Sequence, residues 1–400
     1  MPRLSQRSNL MPPSPIRKLV PFAEEARRRG IKVYHINIGQ PDIHSPAEFM
    51  DAFRHHNLEV LPYGHSAGLW EYRDELVKYY AQYDIHITSE EIVVTTGGSE
   101  AIIFAMMSTM DPGDEIIIPE PFYTNYNGFA VEAGVTVVPV TSRVEEGFKL
   151  PPIEEIEAKI TERTRAIMIC SPNNPTGYVY TRQEMEALKE LVLQHDLFFF
   201  CDEVYREFIY DGAQYTSVLH LSGIEDRAVL LDSTSKRYSV CGARIGCLIT
   251  HNKELLDAAL RLGQARLCPP TMEQLAAKAA LHTPPSYLEE VVAEYRRRRD
   301  VVFEELQKIP NLVAVKPQGA FYTVVKLPVV DADDFSAWLL KEFSLNGETV
   351  MLAPANGFYA TPGKGRDEVR IAFVLNVEAM RRSMEIIREA LKVYPGRIES

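Results

Sequence analysis

Between about residues 90 and 250, short apolar runs alternate with stretches of helical periodicity. Many of these runs are β-branched and almost continuously apolar, which is typical of strands covered on both faces. Thr181 followed by Glu184 is a capping-box pattern, which predicts a helix over residues 182–195. Strands that alternate with helices predict an α/β domain with a largely parallel sheet. The predicted strands are 92–95, 115–119, 135–140, 165–170, 197–201, 228–231 and 246–250.

The C-terminal third of the chain predicts a second, smaller domain. A long helical pattern covers residues 287–308, with 296–299 on its solvent-facing side, and short strands and further helices follow it. The Pro284-Pro285 turn marks a boundary before that helix. We therefore expect an N-terminal arm with part of the small domain (1–45), a large domain (46–285) and a small α+β domain (286–400) that starts with the long helix.

Charge and cysteine usage exclude several classes of function. The 55 acidic and 43 basic residues give a net charge of −12, which disfavours binding to nucleic-acid phosphates. No apolar run approaches the roughly 18 residues that a membrane span needs. The five cysteines include no CxxC pair, which argues against a disulfide framework or a zinc site. We predict no metal and no membrane partner, and a reducing, cytoplasmic compartment.

Two polar, glycine-containing segments follow predicted strands. The first reads TTGGSEA from Thr95 to Ala101 and opens a helix. Its glycines allow a ligand to approach the backbone, and the helix N-terminus favours a phosphate. The second reads SPNNPTG from Ser171 to Gly177, a stiff turn that can present an amide side chain in a fixed direction. Either segment alone is often only a structural turn.

Two further strand ends carry charged side chains. Asp202 ends an apolar run, so its carboxylate must be hydrogen-bonded or paired with a cation, unless it caps a following helix. Lys236 lies among small hydroxyl residues after the strand 228–231, where a lysine can be desolvated and nucleophilic. Together the four segments predict one cofactor with a phosphate, an aldehyde for Lys236 and a ring nitrogen for Asp202. That cofactor is pyridoxal phosphate.

Nine motifs, in order from about residue 14 to 392, resemble the class I and II aminotransferases, which are fold type I of the pyridoxal-phosphate enzymes. The resemblance implies a large domain with a mainly parallel seven-stranded sheet flanked by helices, and a smaller α+β domain. It also implies ping-pong transfer of an amino group from an L-amino acid to a 2-oxo acid. The motifs are NIGQPD, YGHSAGLWEYR, TTGGSEA, PFY, SPNNPTG, CDEVY, STSK, GARIG and VRIAF.

The resemblance implies a role for each residue around the cofactor ring. Lys236 would hold the cofactor as a Schiff base and then shuttle the substrate proton. Asp202 would keep the ring nitrogen protonated. Tyr205 and Asn174 would hydrogen-bond the phenolic oxygen of the ring, and Tyr123 would stack on it.

The resemblance also assigns ligands to the phosphate and to the substrate. Arg370 would clamp the substrate α-carboxylate through two parallel hydrogen bonds, with Gly39 and Asn174 beside it. Tyr63 would reach the phosphate of the other subunit, which implies a homodimer with shared active sites. The other residues assigned to the cofactor phosphate or its loop are Gly98, Ser99, Glu100, Ser233, Ser235 and Arg244.

Aspartate with 2-oxoglutarate is the expected substrate pair. Aspartate aminotransferases need a second cation for the distal carboxylate, and Ser99 stands where one branch of the family has a lysine. We hypothesise that Arg266, supplied by the partner subunit, is that cation, although a structural salt bridge is an equal alternative. Arg17 and Lys18 in the N-terminal arm are further candidates. The alternative functions are an aminotransferase with alanine or aromatic specificity, a C–S β-lyase, and a ligand sensor fused to a DNA-binding module.

Overall fold

The computed structural model describes residues 2–55 and 59–398. Its helices carry the labels α1 to α13 and its strands the labels β1 to β13. The helices are α1 (Gln6–Leu10), α2 (Val20–Arg28), α3 (Ala47–Arg54), α4 (Trp70–Ala81), α5 (Gly97–Thr109), α6 (Asn125–Ala133), α7 (Ile153–Glu157), α8 (Arg182–Gln194), α9 (Lys253–Arg266), α10 (Thr271–Ala280), α11 (Pro285–Leu306), α12 (Ala332–Lys341) and α13 (Val377–Val393). The strands are β1 (Lys32–His35), β2 (Ile92–Thr95), β3 (Glu115–Glu120), β4 (Thr136–Thr141), β5 (Thr164–Cys170), β6 (Phe198–Asp202), β7 (Ala228–Ser233), β8 (Gly246–Ile249), β9 (Val313–Ala314), β10 (Tyr322–Lys326), β11 (Glu348–Met351), β12 (Ala353–Pro354) and β13 (Glu368–Ala372).

The predicted α/β architecture is confirmed. Seven strands form one sheet in the order β2-β8-β7-β6-β5-β3-β4. Strands β3 to β7 run parallel to one another, and β8 is antiparallel to both of its neighbours, so the sheet is mainly parallel. Each of the seven predicted runs corresponds to one of these strands, with ends that differ by at most two residues.

The strands of this sheet are apolar along their whole length because hydrophobic residues cover both faces. Ile116 and Ile118 of β3 pack into one hydrophobic cluster, whereas Ile117 between them packs into the other. Phe200 and Phe199 of β6 divide in the same way. A strand buried on both faces has no solvent side, so its sequence loses the usual polar alternation.

Local sequence signals set several helix boundaries. Thr181 and Glu184 form the predicted capping box, and α8 ends one residue earlier than expected. The side chain of Asn376 accepts a hydrogen bond from Ala379 N at the start of α13. Gly134 ends α6 in the left-handed region, where a side chain would be strained.

Two smaller sheets lie outside the large one. The first is antiparallel, in the order β12-β13-β10-β9, and the second pairs β1 with β11 in parallel. The β1 strand, near the N-terminus, therefore joins a strand that follows it by more than 300 residues. Within the described ranges, no helix is long and apolar enough to cross a membrane.

Helix α11 corrects one detail of the sequence interpretation. Residues 296–299 were expected to face solvent, but Arg298 and Arg299 are buried. Arg298 forms ion pairs with Asp42 and Glu294 at 2.6 and 2.8 Å, and Arg299 bonds the carbonyl of Pro317 at 3.0 Å. A run of four arginines spans a full helical turn, so some of them must point inward.

Candidate active site

The sheet brings the four sequence segments to one edge. Cys170 at the end of β5 pairs with Asp202 of β6, and Asp202 pairs with Leu231 of β7, so these strands end at one level. A cavity of about 380 Å³ opens at that edge, which is where ligands bind in open α/β sheets. The predicted site residues that line it are Gly39, Gly98, Ser99, Tyr123, Asn174, Asp202, Tyr205, Ser233, Ser235, Lys236, Arg244 and Arg370.

One end of the cavity is suited to a phosphate. Helix α5 begins there at Gly97, whose φ of +75° and whose contact with the guanidinium of Arg244 leave no room for a side chain. The hydroxyl oxygens of Ser233 and Ser235 lie 2.7 Å apart at the same wall. A helix N-terminus, a guanidinium and two hydroxyls together offset the two negative charges of a phosphate monoester.

Asp202 is suited to a protonated ring nitrogen. Its Oδ2 accepts a hydrogen bond from the Tyr126 hydroxyl at 2.7 Å, and its Oδ1 accepts one from Val204 N at 3.3 Å. Burial raises the pKa of Asp202 to about 6, although Tyr126 and Val204 favour the charged form. A buried carboxylate of this kind is stabilised further by a cationic partner, which a pyridinium nitrogen supplies.

Lys236 is half-buried at the wall of the same cavity. Its Nζ donates a hydrogen bond to the carbonyl oxygen of Gly39 at 3.0 Å and lies 3.6 Å from Sγ of Cys241. Burial lowers the pKa of Lys236, but the neighbouring Tyr322, Cys241 and Tyr123 raise it, and the net direction is upward. The amine is thus held at a defined point of the cavity wall.

Arg370 is 1% exposed and forms no ion pair with an acidic residue in the described ranges. Its Nη1 donates to Asn174 Oδ1 at 2.9 Å and its Nη2 to the carbonyl of Asn37 at 2.6 Å, while Nε has no hydrogen-bond partner in the described part of the chain. The guanidinium lies over the rings of Tyr322 and Phe358, with centroid distances of 4.6 and 4.8 Å. Burial lowers the pKa of Arg370. A buried cation with a free donor that lines a cavity is suited to binding an anion.

The sequence does not point to three residues that line the cavity or hydrogen-bond its lining residues. Tyr322 lines the cavity, and its hydroxyl lies 2.9 Å from that of Tyr205. A side chain on Gly39 would overlap the Tyr322 hydroxyl, so this close approach requires glycine. Tyr126 lies in the first turn of α6, three residues after Tyr123 of the quoted motif PFY. Asn37 lies inside the quoted motif NIGQPD, but no local signal marks its carbonyl as a partner for Arg370.

The structure does not bring three predicted residues into the cavity. Glu100 Oε2 accepts a hydrogen bond from Thr96 N at 2.7 Å, and Glu100 Oε1 lies 3.3 Å from Arg266 Nε. Arg266 also donates to the carbonyls of Ser66 and Val94 within its own chain. Tyr63 is 79% exposed.

Comparisons with known proteins place these features in context. Residues 31–387 match the model of the family described as aminotransferase class I and II. The chain is 31% identical over 403 residues to an aspartate aminotransferase of Bacillus subtilis, covering 98% of this chain and 100% of the relative. It is 30% identical over 387 residues to an aspartate/prephenate aminotransferase of Thermus thermophilus, covering 96% and 97%.

Solved structures show the same relationship. An aspartate aminotransferase from Thermus thermophilus with maleate superposes with a TM-score of 0.88 at 30% identity, covering 98% of this chain and 100% of that one. An alanine aminotransferase from Pyrococcus furiosus also superposes with a TM-score of 0.88, at 31% identity and the same coverage.

Proposed function

The chain belongs to the class I and II aminotransferases, a family that uses pyridoxal phosphate, and from that membership we propose the reaction it catalyses. The proposed reaction moves the amino group of L-aspartate to 2-oxoglutarate by a ping-pong mechanism. One observation carries the proposal: Lys236, Asp202 and Arg370 line a single cavity, and Arg370 pairs with no acidic residue within 2–55 and 59–398. An amine for the cofactor, an anion for its ring nitrogen and a cation for the substrate carboxylate are the groups that transamination requires.

The residues present fit the cofactor. Arg244, Ser233, Ser235 and the start of α5 would hold its phosphate, and Asp202 would pair with its ring nitrogen. When bound, pyridoxal phosphate supplies an electron sink that allows the substrate to lose its Cα proton.

The chain itself positions the substrate and moves the proton. Arg370 fixes the α-carboxylate, and its bonds to Asn174 and Asn37 hold the guanidinium in one orientation. The amine of Lys236 would act as the base that takes the proton from the substrate Cα and delivers it to the C4′ carbon of the cofactor, which is the proton shift that transamination requires. Gly39 O and the Cys241 thiol keep that amine within reach of the cavity.

Aspartate as the preferred donor is supported by the relatives. Two aspartate aminotransferases from Bacillus subtilis and Geobacillus stearothermophilus match nearly the whole chain at 31% identity. Because the alanine aminotransferase from Pyrococcus furiosus is similar to the same extent, alanine is the second candidate for the amino-group donor.

The proposal includes a cytoplasmic homodimer with shared sites. Tyr63 is exposed and does not line the cavity of its own subunit, as a residue that serves the partner's cofactor must be. Val60, Leu61 and Leu267 are exposed apolar residues, and the backbone at Gly64 approaches Cys268, so these residues belong to neighbouring segments. An exposed apolar patch of this kind suits a subunit interface.

The first experiment records visible absorbance of the purified holoenzyme while L-aspartate, L-alanine and L-phenylalanine are added separately without a 2-oxo acid. We expect the band of the lysine-bound cofactor to disappear at the lowest concentration with aspartate, and the Lys236→Ala variant to lack that band. Bleaching with alanine or phenylalanine alone would refute the aspartate assignment. No band after addition of pyridoxal phosphate would refute the whole proposal.

Shared sites are tested by mixing subunits with complementary defects. Lys236→Ala and Tyr63→Phe subunits, refolded together, would form hybrid dimers in which one site carries both defects and the other carries neither. Recovery of activity beyond that of the two parent dimers is expected. Sedimentation and native mass spectrometry confirm that hybrid dimers have formed. If those hybrids are no more active than the two parent dimers, the active sites are not shared.

A further inference from the structure

The N-terminal arm is anchored at three residues beside the cavity, on both sides of Arg17. Pro15 packs so closely on Gly357 that a side chain on that glycine would overlap it. The carbonyl of Ile16 accepts a hydrogen bond from Asn37 Nδ2 at 3.2 Å. Lys18 forms an ion pair with Asp333. The backbone of the residue between Ile16 and Lys18 is therefore held in place.

The two cations of this segment differ in what they contact. Lys18 is neutralised by Asp333 and also lies 3.4 Å from Asn356 Oδ1. The side chain of Arg17 forms no ion pair or hydrogen bond with any residue in 2–55 or 59–398, and it lines the cavity. Arg17 is thus a positive charge without a counter-ion at the wall of the active site.

Arg17 is tied to the α-carboxylate clamp through the backbone. Arg370 Nη2 donates to Asn37 O, and Asn37 Nδ2 donates to the carbonyl of Ile16, the residue before Arg17. Two hydrogen bonds therefore link the guanidinium that binds one carboxylate to the segment that presents a second guanidinium. Two cations at one small cavity select a substrate with two anionic groups.

The other candidate cations for a distal carboxylate are already committed. Of the cations that line the cavity, Lys236 is the reactive amine, Arg244 faces the phosphate end and Arg370 takes the α-carboxylate. Arg266, the candidate from the partner subunit, is paired with Glu100 and donates to the carbonyls of Ser66 and Val94 within its own chain.

We infer that Arg17, from the same subunit as Lys236, binds the distal carboxylate and makes the enzyme selective for dicarboxylic amino acids and 2-oxo acids. The inference rests on the proposed aminotransferase function and replaces Arg266 of the partner subunit as the residue that reads the substrate side chain. An arm anchored on both sides places this charge without the ordering cost of a free loop.

The test compares Arg17→Gln and Arg17→Lys with Lys18→Gln as the matched control in the same segment. For Arg17→Gln we expect kcat/KM for L-aspartate and L-glutamate to fall about 10- to 100-fold, because a hydrogen bond to a charged group is lost. KM carries the loss, kcat/KM for L-alanine stays close to wild type, and Arg17→Lys restores part of the difference. Lys18→Gln, which loses a partly exposed ion pair, changes all substrates by less than about fivefold.

A binding measurement separates recognition from turnover. Maleate, an unreactive dicarboxylate, is titrated into each holoenzyme by calorimetry, with acetate as the single-carboxylate probe. Maleate affinity should fall in Arg17→Gln while acetate affinity does not. An equal fall for aspartate and alanine, or unchanged maleate affinity, would overturn the role of Arg17. If only Arg266→Gln loses affinity for maleate and keeps its affinity for acetate, Arg266 and not Arg17 binds the distal carboxylate.

The two proposals fail in different ways. If the wild-type holoenzyme transaminates amino acids but Arg17→Gln keeps full preference for dicarboxylates, the inference fails and the proposed function stands. If the wild-type protein transaminates no amino acid, the proposed function itself fails.

Discussion

Replacing Arg370 by lysine keeps the positive charge and removes the planar fork. In the structure, Arg370 spans Asn174 Oδ1 at 2.9 Å and Asn37 O at 2.6 Å, and stacks on Tyr322 and Phe358. A lysine ammonium is a single point charge and cannot hold these contacts together with both oxygens of a substrate carboxylate. At least one charge-assisted hydrogen bond to the substrate is therefore lost.

The expected size of the effect follows from that bond. A hydrogen bond to a charged group contributes about 1.5–3 kcal/mol, which is a factor of about 10–150 in kcat/KM at 1.4 kcal/mol per factor of ten. Every amino acid has the α-carboxylate, so L-aspartate and L-alanine should lose the same factor. The loss should lie mainly in KM, since the carboxylate is bound before and during the reaction.

The assay is steady-state kinetics with both substrates, and Arg298→Lys is the matched control. Arg298 is also a buried arginine, but it pairs with Asp42 and Glu294 outside the cavity. We expect Arg298→Lys to lower thermal stability and leave kcat/KM close to wild type. If the two variants have the same kcat/KM, or if Arg370→Lys affects aspartate alone, the assignment of Arg370 to the α-carboxylate is refuted.

Three further perturbations test other parts of the structure. Tyr126→Phe removes the hydroxyl that favours the charged form of Asp202, so the pKa of Asp202 rises above about 6 and pyridoxal phosphate, titrated by fluorescence, should bind up to about tenfold more weakly. Gly39→Ala places a methyl group on the Tyr322 hydroxyl, and overpacking of this kind should lower the free energy of unfolding by about 1–3 kcal/mol in urea titrations. Burial raises the pKa of Glu368 to about 7 from an unfolded value near 4.5, so the native state loses stability as pH rises from about 4.5 to about 7. The free energy of unfolding of Glu368→Gln, relative to that of the wild type, should therefore be about 3 kcal/mol higher at pH 8 than at pH 4.5.

Matched variants sharpen these tests. Gly242→Ala introduces a methyl group with nothing within 4 Å and should be nearly neutral. Tyr80→Phe removes a buried hydroxyl that donates to Asp232 at 2.6 Å outside the cavity, so it should leave cofactor affinity closer to wild type than Tyr126→Phe does. Equal effects in either matched pair would contradict the reasoning, as would a Glu368→Gln difference that does not change with pH.

The fold was largely accessible from the sequence because its signals are local. Strands covered on both faces appear as apolar runs, and a capping box marks the start of a helix within four residues. Asp202 directly follows one such run and Lys236 lies in the turn after another, so the parallel sheet has to bring them to one edge. The burial of Arg298 was not accessible, because a polar run on a helix does not reveal which side another element covers.

The cavity shows the same division. The sequence by itself determined the α/β sheet, the cofactor chemistry at its strand ends and the presence of Arg370 in a motif typical of a carboxylate clamp. Only the tertiary structure decided that Asn37, 333 residues away, binds that arginine and that Glu100 pairs with Arg266. It also decided that Arg17 has no counter-ion among the residues that the structure describes. Hydrophobic periodicity and turn-forming residues determine local structure over a few residues, so the sequence shows them directly. The ion-pair partner of a charged side chain depends on how distant segments pack. Which cation lacks an acidic partner can therefore be read only from the folded structure.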